Sequence, residues 1–215
     1  MRLAGKTQVI STDTKLVDSQ VEEDFDDYID GVPDSVGVVT ARSKAGKKAK
    51  RKGGTFERRM AKVFSDFWGT KFHRTPSSGG SMLKGDYNMA GDLCTSDTDW
   101  KFHVECKNQE AFSGFHTMLV SEKSIVWKWW EQATSECSAD QIPLLIFTKN
   151  RIPIFCMVPE HFWGSVDWKS SDLLESNSYV RIRDVVVITL NRFLSMGKEE
   201  CLKAQKLALH KKTLV

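Results

Sequence analysis

The stretch "GDLCTSDTDWKFHVECKNQ", residues 91–109, has an acidic residue after a glycine, an E-x-K triplet and a turn-like "SDTD" between them. As a hairpin with its turn at residues 98–99, it predicts that Asp92 lies directly opposite Glu105. The Cβ atoms of opposed residues lie about 5 Å apart, where two carboxylates repel unless a cation lies between them. Carboxylate oxygens are ligands that Mg²⁺ prefers, so the hairpin predicts a Mg²⁺ site.

Strand alternation predicts a polar and an apolar face for the second arm of this hairpin. Glu105 and Lys107 share one face, whereas Phe102, Val104 and Cys106 share the other. A metal ion polarises a phosphoryl oxygen and lowers the pKa of a bound water, and a lysine can position that water. The pattern therefore favours phosphodiester hydrolysis over an ordinary charged strand surface, which is the alternative for an isolated E-x-K.

Two upstream segments could add to the same site. Apolar residues spaced by three and four in residues 55–69 predict an amphipathic helix capped by Thr55. Glu57 on this helix could reach the metal, or it is a solvated helix acid. The Gly- and Ser-rich loop that follows is either a plain surface loop or a phosphate-binding loop. The side chains that could bind phosphate are Arg74, Ser77 and Ser78.

Length and composition favour one soluble domain. The chain has 215 residues and a net charge of +3, so a nucleic-acid signal must come from the distribution of charge. Its five cysteines are scattered, without a C-x-x-C pair, which is typical of a reducing interior. No apolar run approaches the roughly 20 residues that cross a bilayer. We expect a soluble, intracellular protein without membrane contact.

The N-terminal region is strongly charged. Residues 17–34 are rich in carboxylates and read as a flexible acidic segment, and residues 41–54 form a basic, Gly-containing run that either binds phosphates or is a solvated linker. The predicted organisation is a flexible acidic and then basic tail, residues 1–50, before a domain of residues 51–215. The basic positions assigned to nucleic-acid binding are Lys47, Lys48, Lys50, Arg51 and Lys52.

The remaining segments alternate between helix and strand signals and predict an α/β fold. Residues 121–140 read as a helix, residues 142–150 as a buried strand and residues 151–159 as its hairpin partner. A β-rich segment, residues 179–194, and a basic C-terminal helix, residues 198–212, follow. Whether this last third completes the sheet or builds a dimer is left open.

The order of Glu57 on a helix, "RTPSSGG", Asp92 and "ECK" at residues 105–107 resembles the PD-(D/E)xK nuclease superfamily. Within it, the pattern is most similar to Holliday-junction resolvases of archaeal and phage type, over about residues 52–155. The resemblance implies a restriction-endonuclease-like core, with a central mixed β-sheet flanked by helices. It also implies a homodimer in DNA recombination and repair that nicks four-way junctions with Mg²⁺, for which Mn²⁺ can substitute.

The resemblance also implies a role for each matching residue. Asp92 and Glu105 would bind the metal with the Cys106 carbonyl. Lys107 would be the catalytic lysine, and Glu57 would complete the site. The loop serine of the resolvases would correspond to one of two residues: Ser77 or Ser78.

The sequence departs from the superfamily pattern in two places. Gly91 stands before Asp92 where the superfamily name has proline. The acids of the turn at residues 97–99 are expected to face away from the fold and have no assigned role.

Other interpretations of the same segments stay open. The hairpin register that pairs Asp92 with Glu105 also pairs Cys94 with His103 on the same face, and these two side chains would suit a zinc site. Trp127 and Trp129 could stack on unpaired bases, whereas helical spacing favours a core role for Trp130. Two further helix residues are either surface or near the metal: Glu131 and Gln132.

Three functions fit these features. The first is an endonuclease selective for branched DNA. The second is a restriction- or repair-type nuclease that acts on linear duplex, and the third is a non-catalytic DNA-binding module of the same fold. Adjacent repelling carboxylates favour an enzyme, because a binding module has no use for them.

Overall fold

A five-stranded mixed β-sheet lies at the centre of the computed structural model, which describes residues 41–75, 91–167 and 179–213. The elements in chain order are α1 (Ala41–Trp68), β1 (Phe72–Arg74), β2 (Leu93–Thr95), β3 (Phe102–Asn108), α2 (His116–Val120), α3 (Ile125–Ser135), β4 (Ile142–Thr148), β5 (Phe155–Pro159), α4 (Glu160–Trp163), β6 (Val180–Ile182), β7 (Val185–Thr189), α5 (Leu190–Leu194) and α6 (Gly197–Thr213).

The strand order in the main sheet is β3-β4-β5-β7-β6. Strands β3 and β4 run parallel, with Glu105 beside Leu145, and the other neighbours are antiparallel. The predicted mixed sheet is confirmed, as is the hairpin of β4 and β5. Because β6 and β7 lie in this sheet, the last third of the chain completes it.

Helices cover both faces of the sheet, as the α/β prediction requires. One face carries Phe102, Val104 and Cys106, which pack in one core with residues of α1, α4, α5 and α6. The opposite face carries Leu145 and Phe147, which pack with α2 and α3. The alternation predicted for β3 is therefore confirmed, and its polar residues lie on the α3 side.

The predicted hairpin between residues 91–95 and β3 is wrong. Strand β2 pairs antiparallel with β1 instead, placing Cys94 beside His73. Among residues 91–95, Gly91 alone bridges β3, in the parallel sense, opposite Val104. Local turn chemistry suggested a hairpin, but "KFHRT" at residues 71–75 supplies a competing partner for β2 that the hairpin interpretation did not consider.

The turn before β3 is tied to the fold by Asp97. Its carboxylate accepts hydrogen bonds from the Trp68 indole N–H at 3.0 Å and from the Asp99 N–H at 2.9 Å. The expectation that the turn acids face away from the fold is wrong for Asp97, which is half-buried, whereas Asp99 is exposed.

Helix α1 begins at Ala41 rather than near Thr55, so residues 41–54 are helical and not a linker. The division predicted between residues 50 and 51 falls inside this helix. Alanine, lysine and arginine favour helix, and each interior glycine costs only about 1 kcal/mol relative to alanine. The burial of Phe56 and Met60 offsets that cost.

Some predicted features lie outside the described residues: the acidic segment at residues 17–34, the serines Ser77 and Ser78, and the side chains of Lys47 and Lys48. Within the described part of the chain, no helix has both the length and the apolar character that crossing a membrane requires.

Candidate active site

Gly91 brings the chain into direct contact with β3. Its φ is +93°, and a Cβ atom at this position would lie 2.6 Å from the Val104 carbonyl oxygen. Any other residue would clash with that backbone, so the close approach requires glycine. The next residue, Asp92, donates its N–H to the Val104 carbonyl at 2.7 Å, and its carboxylate accepts the Cys106 N–H at 2.8 Å. Gly91 therefore fixes Asp92 beside Glu105.

A second set of polar side chains connects β3 to α3. Glu105 is buried and accepts a hydrogen bond from the Lys107 ammonium group. The same group donates to the Gln132 side-chain oxygen at 3.0 Å, and the Gln132 amide donates to Glu136 at 3.2 Å. Gln132 therefore contacts Lys107, whereas its proximity to a metal stays a prediction. This network holds Lys107 between two acceptors.

Glu57 approaches the site from α1. Its carboxylate forms an ion pair with Arg74, and its charge contributes to raising the pKa values of both Asp92 and Glu105. Glu57 therefore lies close enough to influence both carboxylates, and its part in a metal site stays a prediction. Arg74, which is predicted to bind phosphate, forms this ion pair, and the Glu57 carboxylate partly neutralises its charge.

The electrostatics of the two central carboxylates indicate a cation-binding arrangement. Burial, and next the charge of Glu105, raise the pKa of Asp92 to about 7, against the opposing effect of the Cys106 N–H. Burial also raises the pKa of Glu105, although Lys107 opposes this. A divalent cation would stabilise both ionised carboxylates, and their oxygens match the ligands that Mg²⁺ prefers. The residues therefore fit a metal site.

The predicted zinc pairing of Cys94 with His103 is wrong. Cys94 lies on β2 and donates its S–H to the His73 carbonyl at 3.7 Å, whereas His103 lies on β3 beside Pro143. His103 is fully buried, so it does not face DNA. The zinc interpretation depended on the hairpin register, which the structure does not have.

The tryptophans of α3 belong to the core. Trp127, Trp129 and Trp130 are all buried, which confirms the core role of Trp130 and contradicts base stacking by the other two. The Trp127 indole donates to the Met118 carbonyl at 3.1 Å. Trp127 and Trp129 are two positions apart and lie on nearly opposite sides of α3, so a single apolar stripe did not predict that both are buried.

The basic residues at the start of the domain differ in their availability. Lys50 and Arg51 are exposed on α1. Lys52 instead forms an ion pair with Glu110, at a nitrogen-to-oxygen distance of 2.6 Å. Lys50 and Arg51 are therefore more exposed than Lys52.

Comparison with known proteins agrees with this geometry. The model of a family described as "Phage putative PDDEXK endonuclease" matches residues 48–203 of the chain. The chain belongs to this family. No curated protein and no solved structure matched. Membership confirms the PD-(D/E)xK superfamily and, with the mixed sheet, agrees with a restriction-endonuclease-like fold. It indicates a nuclease that acts on DNA.

The high pKa of Asp92 predicts a specific pH dependence for the cation-free protein. Its folded pKa of about 7 exceeds the ordinary value of 3.8, so the folded state binds more protons between these values. Stability should therefore fall as pH rises from about 4 to about 7. Mg²⁺ needs the ionised carboxylate, so it should raise the melting temperature more at about pH 8 than at about pH 5.5.

Thermal melts with Mg²⁺ or EDTA at both pH values measure this effect. Asp92→Asn is the matched control, because its amide oxygen can still accept the Cys106 N–H. It should reduce both the pH dependence and the response to Mg²⁺. An equal Mg²⁺ response in wild type and Asp92→Asn would contradict the assignment of Asp92 as a ligand.

Proposed function

We propose that the protein is a metal-dependent endodeoxyribonuclease that cleaves branched DNA such as four-way junctions. The observation that carries the proposal is the approach of Gly91 to Val104, which places Asp92 on the backbone of β3 beside Glu105 and Lys107. These are an acidic pair and a lysine at one place along β3, a set that can hold a cation and stabilise charge during phosphodiester hydrolysis.

Mg²⁺, or Mn²⁺ in its place, would be held by Asp92, Glu105 and the Cys106 carbonyl. Glu57 would complete the site by exchanging part of its contact with Arg74 for the cation. When bound, the cation would polarise a phosphoryl oxygen and lower the pKa of a coordinated water. The raised pKa values of the two central carboxylates support this assignment, because each gains from a neighbouring positive charge.

Lys107 is the catalytic lysine in this proposal. Glu105 and Gln132 accept hydrogen bonds from its ammonium group, which leaves its third proton for a phosphate oxygen or the attacking water. Fixing the ammonium before the substrate arrives lowers the cost of orienting it during the reaction. Gln132 therefore acts as a positioning residue.

Two groups of residues would bind DNA in this proposal. Arg74, together with Ser77 and Ser78, would contact the phosphate near the cleaved bond. Basic residues in the first part of α1 would contact the backbone farther away, without sequence preference. The residues assigned to this basic surface are Lys47, Lys48, Lys50, Arg51 and Lys52.

The preference for branched DNA and a homodimeric assembly rest on the resemblance to Holliday-junction resolvases. A two-fold dimer would present two sites to the two equivalent strands of a junction, as paired nicking requires. The proposed setting is DNA recombination or repair inside the cell. The family match, which names an endonuclease of phage type, supports the nuclease part of this proposal.

The proposal is tested with an end-labelled four-way junction, a matching linear duplex and a single strand, each incubated with Mg²⁺. We expect paired nicks near the branch point that leave 5′-phosphates, and little cutting of the duplex. Equal cutting of the duplex would move the protein to the restriction or repair class. Cutting of none of the three would favour a non-catalytic DNA-binding module.

Neutralising Lys50 and Arg51 to glutamine should weaken DNA binding and its salt dependence. Each lost phosphate contact lowers the slope of log K against log salt by about 0.9. Lys52→Gln is the matched control and should change the slope less, because Lys52 is paired with Glu110. Binding titrations at several salt concentrations measure these slopes. An unchanged slope after all five basic positions are neutralised would show that this surface does not contact DNA.

A further inference from the structure

His103 is a buried histidine without hydrogen-bond partners among the described residues. Its side chain is 0 % exposed, and neither ring nitrogen has a donor or acceptor within that part of the chain. Buried polar groups are nearly always paired, because an unpaired one loses its hydrogen bonds to water without a replacement. Among the described residues the imidazole therefore lacks a partner, and a bound ion would supply one.

Two carboxylates surround this imidazole. His103 and Glu105 lie on the same face of β3, and Glu136 is the C-cap residue of α3. One ligand atom from each of these three residues lies within 4.8 Å of the other two. Glu136 is exposed, so the cluster has an opening to solvent. An imidazole nitrogen and two carboxylate oxygens can converge on a single ion with small side-chain movements.

The charge state of the cluster also suits a cation. Burial lowers the pKa of His103, despite the opposing charge of Glu136. A ring nitrogen that carries no proton can donate its lone pair to an ion. Within the described residues, Lys107 is the cationic side chain that contacts Glu105. Lys107 lies two residues after Glu105 on β3, whereas His103 lies two residues before it. Glu136 receives a neutral amide hydrogen bond from Gln132.

We propose that His103, Glu105 and Glu136 form a second cation site, which selects a first-row transition-metal dication over Mg²⁺. An imidazole ligand favours such ions, whereas Mg²⁺ prefers oxygen ligands and gives up its waters reluctantly. This site shares Glu105 with the proposed catalytic site. Metal binding at this second site does not depend on DNA cleavage, and neither Asp92 nor Glu57 is one of its ligands.

The test uses Mn²⁺ as the probe and the full chain without DNA. Electron spin echo envelope modulation detects ¹⁴N directly bound to Mn²⁺. We expect this nitrogen coupling in the wild type and in Asp92→Asn, and its loss in His103→Gln and Glu136→Gln. Loss of an outer-shell partner already weakens metal binding about 10–100-fold, so loss of the Glu136 ligand should weaken Mn²⁺ binding at this site at least about tenfold.

Control variants and competing ions separate the outcomes. Glu131→Gln changes an exposed acid on the same helix and should keep the nitrogen coupling. Because Glu136 is exposed, Glu136→Gln is expected to fold even if the buried His103→Gln does not. Zn²⁺ should displace the nitrogen-coupled Mn²⁺, whereas about tenfold more Mg²⁺ should not.

Several results would overturn the proposal. These are no nitrogen coupling in the wild type at saturating Mn²⁺, coupling that persists in Glu136→Gln, and displacement by Mg²⁺ as readily as by Zn²⁺. Failure of the proposed nuclease function has a different signature, because it would leave the nitrogen coupling intact while DNA stays uncut.

Discussion

Glu105→Gln is expected to lower the single-turnover rate of DNA cleavage by at least about 10³-fold while DNA binding stays intact or tightens. Glutamine keeps the shape of the buried side chain but removes the charge that the catalytic cation needs. It also removes repulsion between Glu105 and the DNA phosphates. Rates measured with excess enzyme, together with binding titrations, separate these two effects.

The folded state should tolerate this change. Burial raises the pKa of Glu105, so a neutral isostere removes an unfavourable buried charge. The Lys107 ammonium, which is less buried than Glu105, keeps two oxygen acceptors, because the amide oxygen of the isostere and Gln132 both accept from it. Glu122→Gln is a suitable control, because Glu122 is exposed and pairs with Arg183 at 2.8 Å. Loss of the wild-type circular dichroism spectrum in Glu105→Gln would show instead that the residue is structural.

Lys107→Met is expected to lower cleavage by about 10²–10³-fold, as removal of one charge-stabilising donor does in other active sites. Methionine retains most of the aliphatic stem but not the ammonium group, which donates to Gln132 of α3. Mg²⁺ affinity should be retained or rise, because a positive charge next to Glu105 is removed. Calorimetric titration of Mg²⁺ and single-turnover rates test the two parts separately.

The Lys107→Met variant should also be less stable without Mg²⁺, because it leaves the buried Glu105 carboxylate without its ion-pair partner. Breaking a buried pair in this way typically costs about 3–5 kcal/mol, although Glu105 can lower that cost by taking up a proton. The double variant with Glu105→Gln should regain stability but not activity. If Lys107→Met loses Mg²⁺ affinity along with activity, the lysine has a different role from the one assigned here.

The α/β class, the two faces of β3 and the pairing of β4 with β5 could be predicted from sequence, because each depends on local periodicity. Strand pairing between distant segments could not. The hairpin prediction treated "SDTD" as a connection between adjacent partners, whereas β2 pairs with β1 across residues 76–90. Likewise, two glycines at residues 53–54 suggested a linker, but the helix continues through them because its apolar face is buried.

The roles of the candidate site residues stay predictions, whereas their positions can be compared with the structure. Asp92 does lie beside Glu105, although a close approach by Gly91 places it there rather than a hairpin register. Glycine-aspartate in place of proline-aspartate therefore has a steric explanation in this chain. Glu136 was missed, and the available signal was its spacing of four from Gln132 on α3, which puts both on one helix face.

The central claim is that the Asp92 and Glu105 carboxylates support cation-dependent cleavage of DNA. The most direct measurement is the cleavage rate of one end-labelled four-way junction by wild type and Glu105→Gln, each in Mg²⁺ and in EDTA. We predict cleavage by the wild type in Mg²⁺ and none in the other three reactions. Wild-type cleavage that persists in EDTA, or equal cleavage by Glu105→Gln, would contradict the claim.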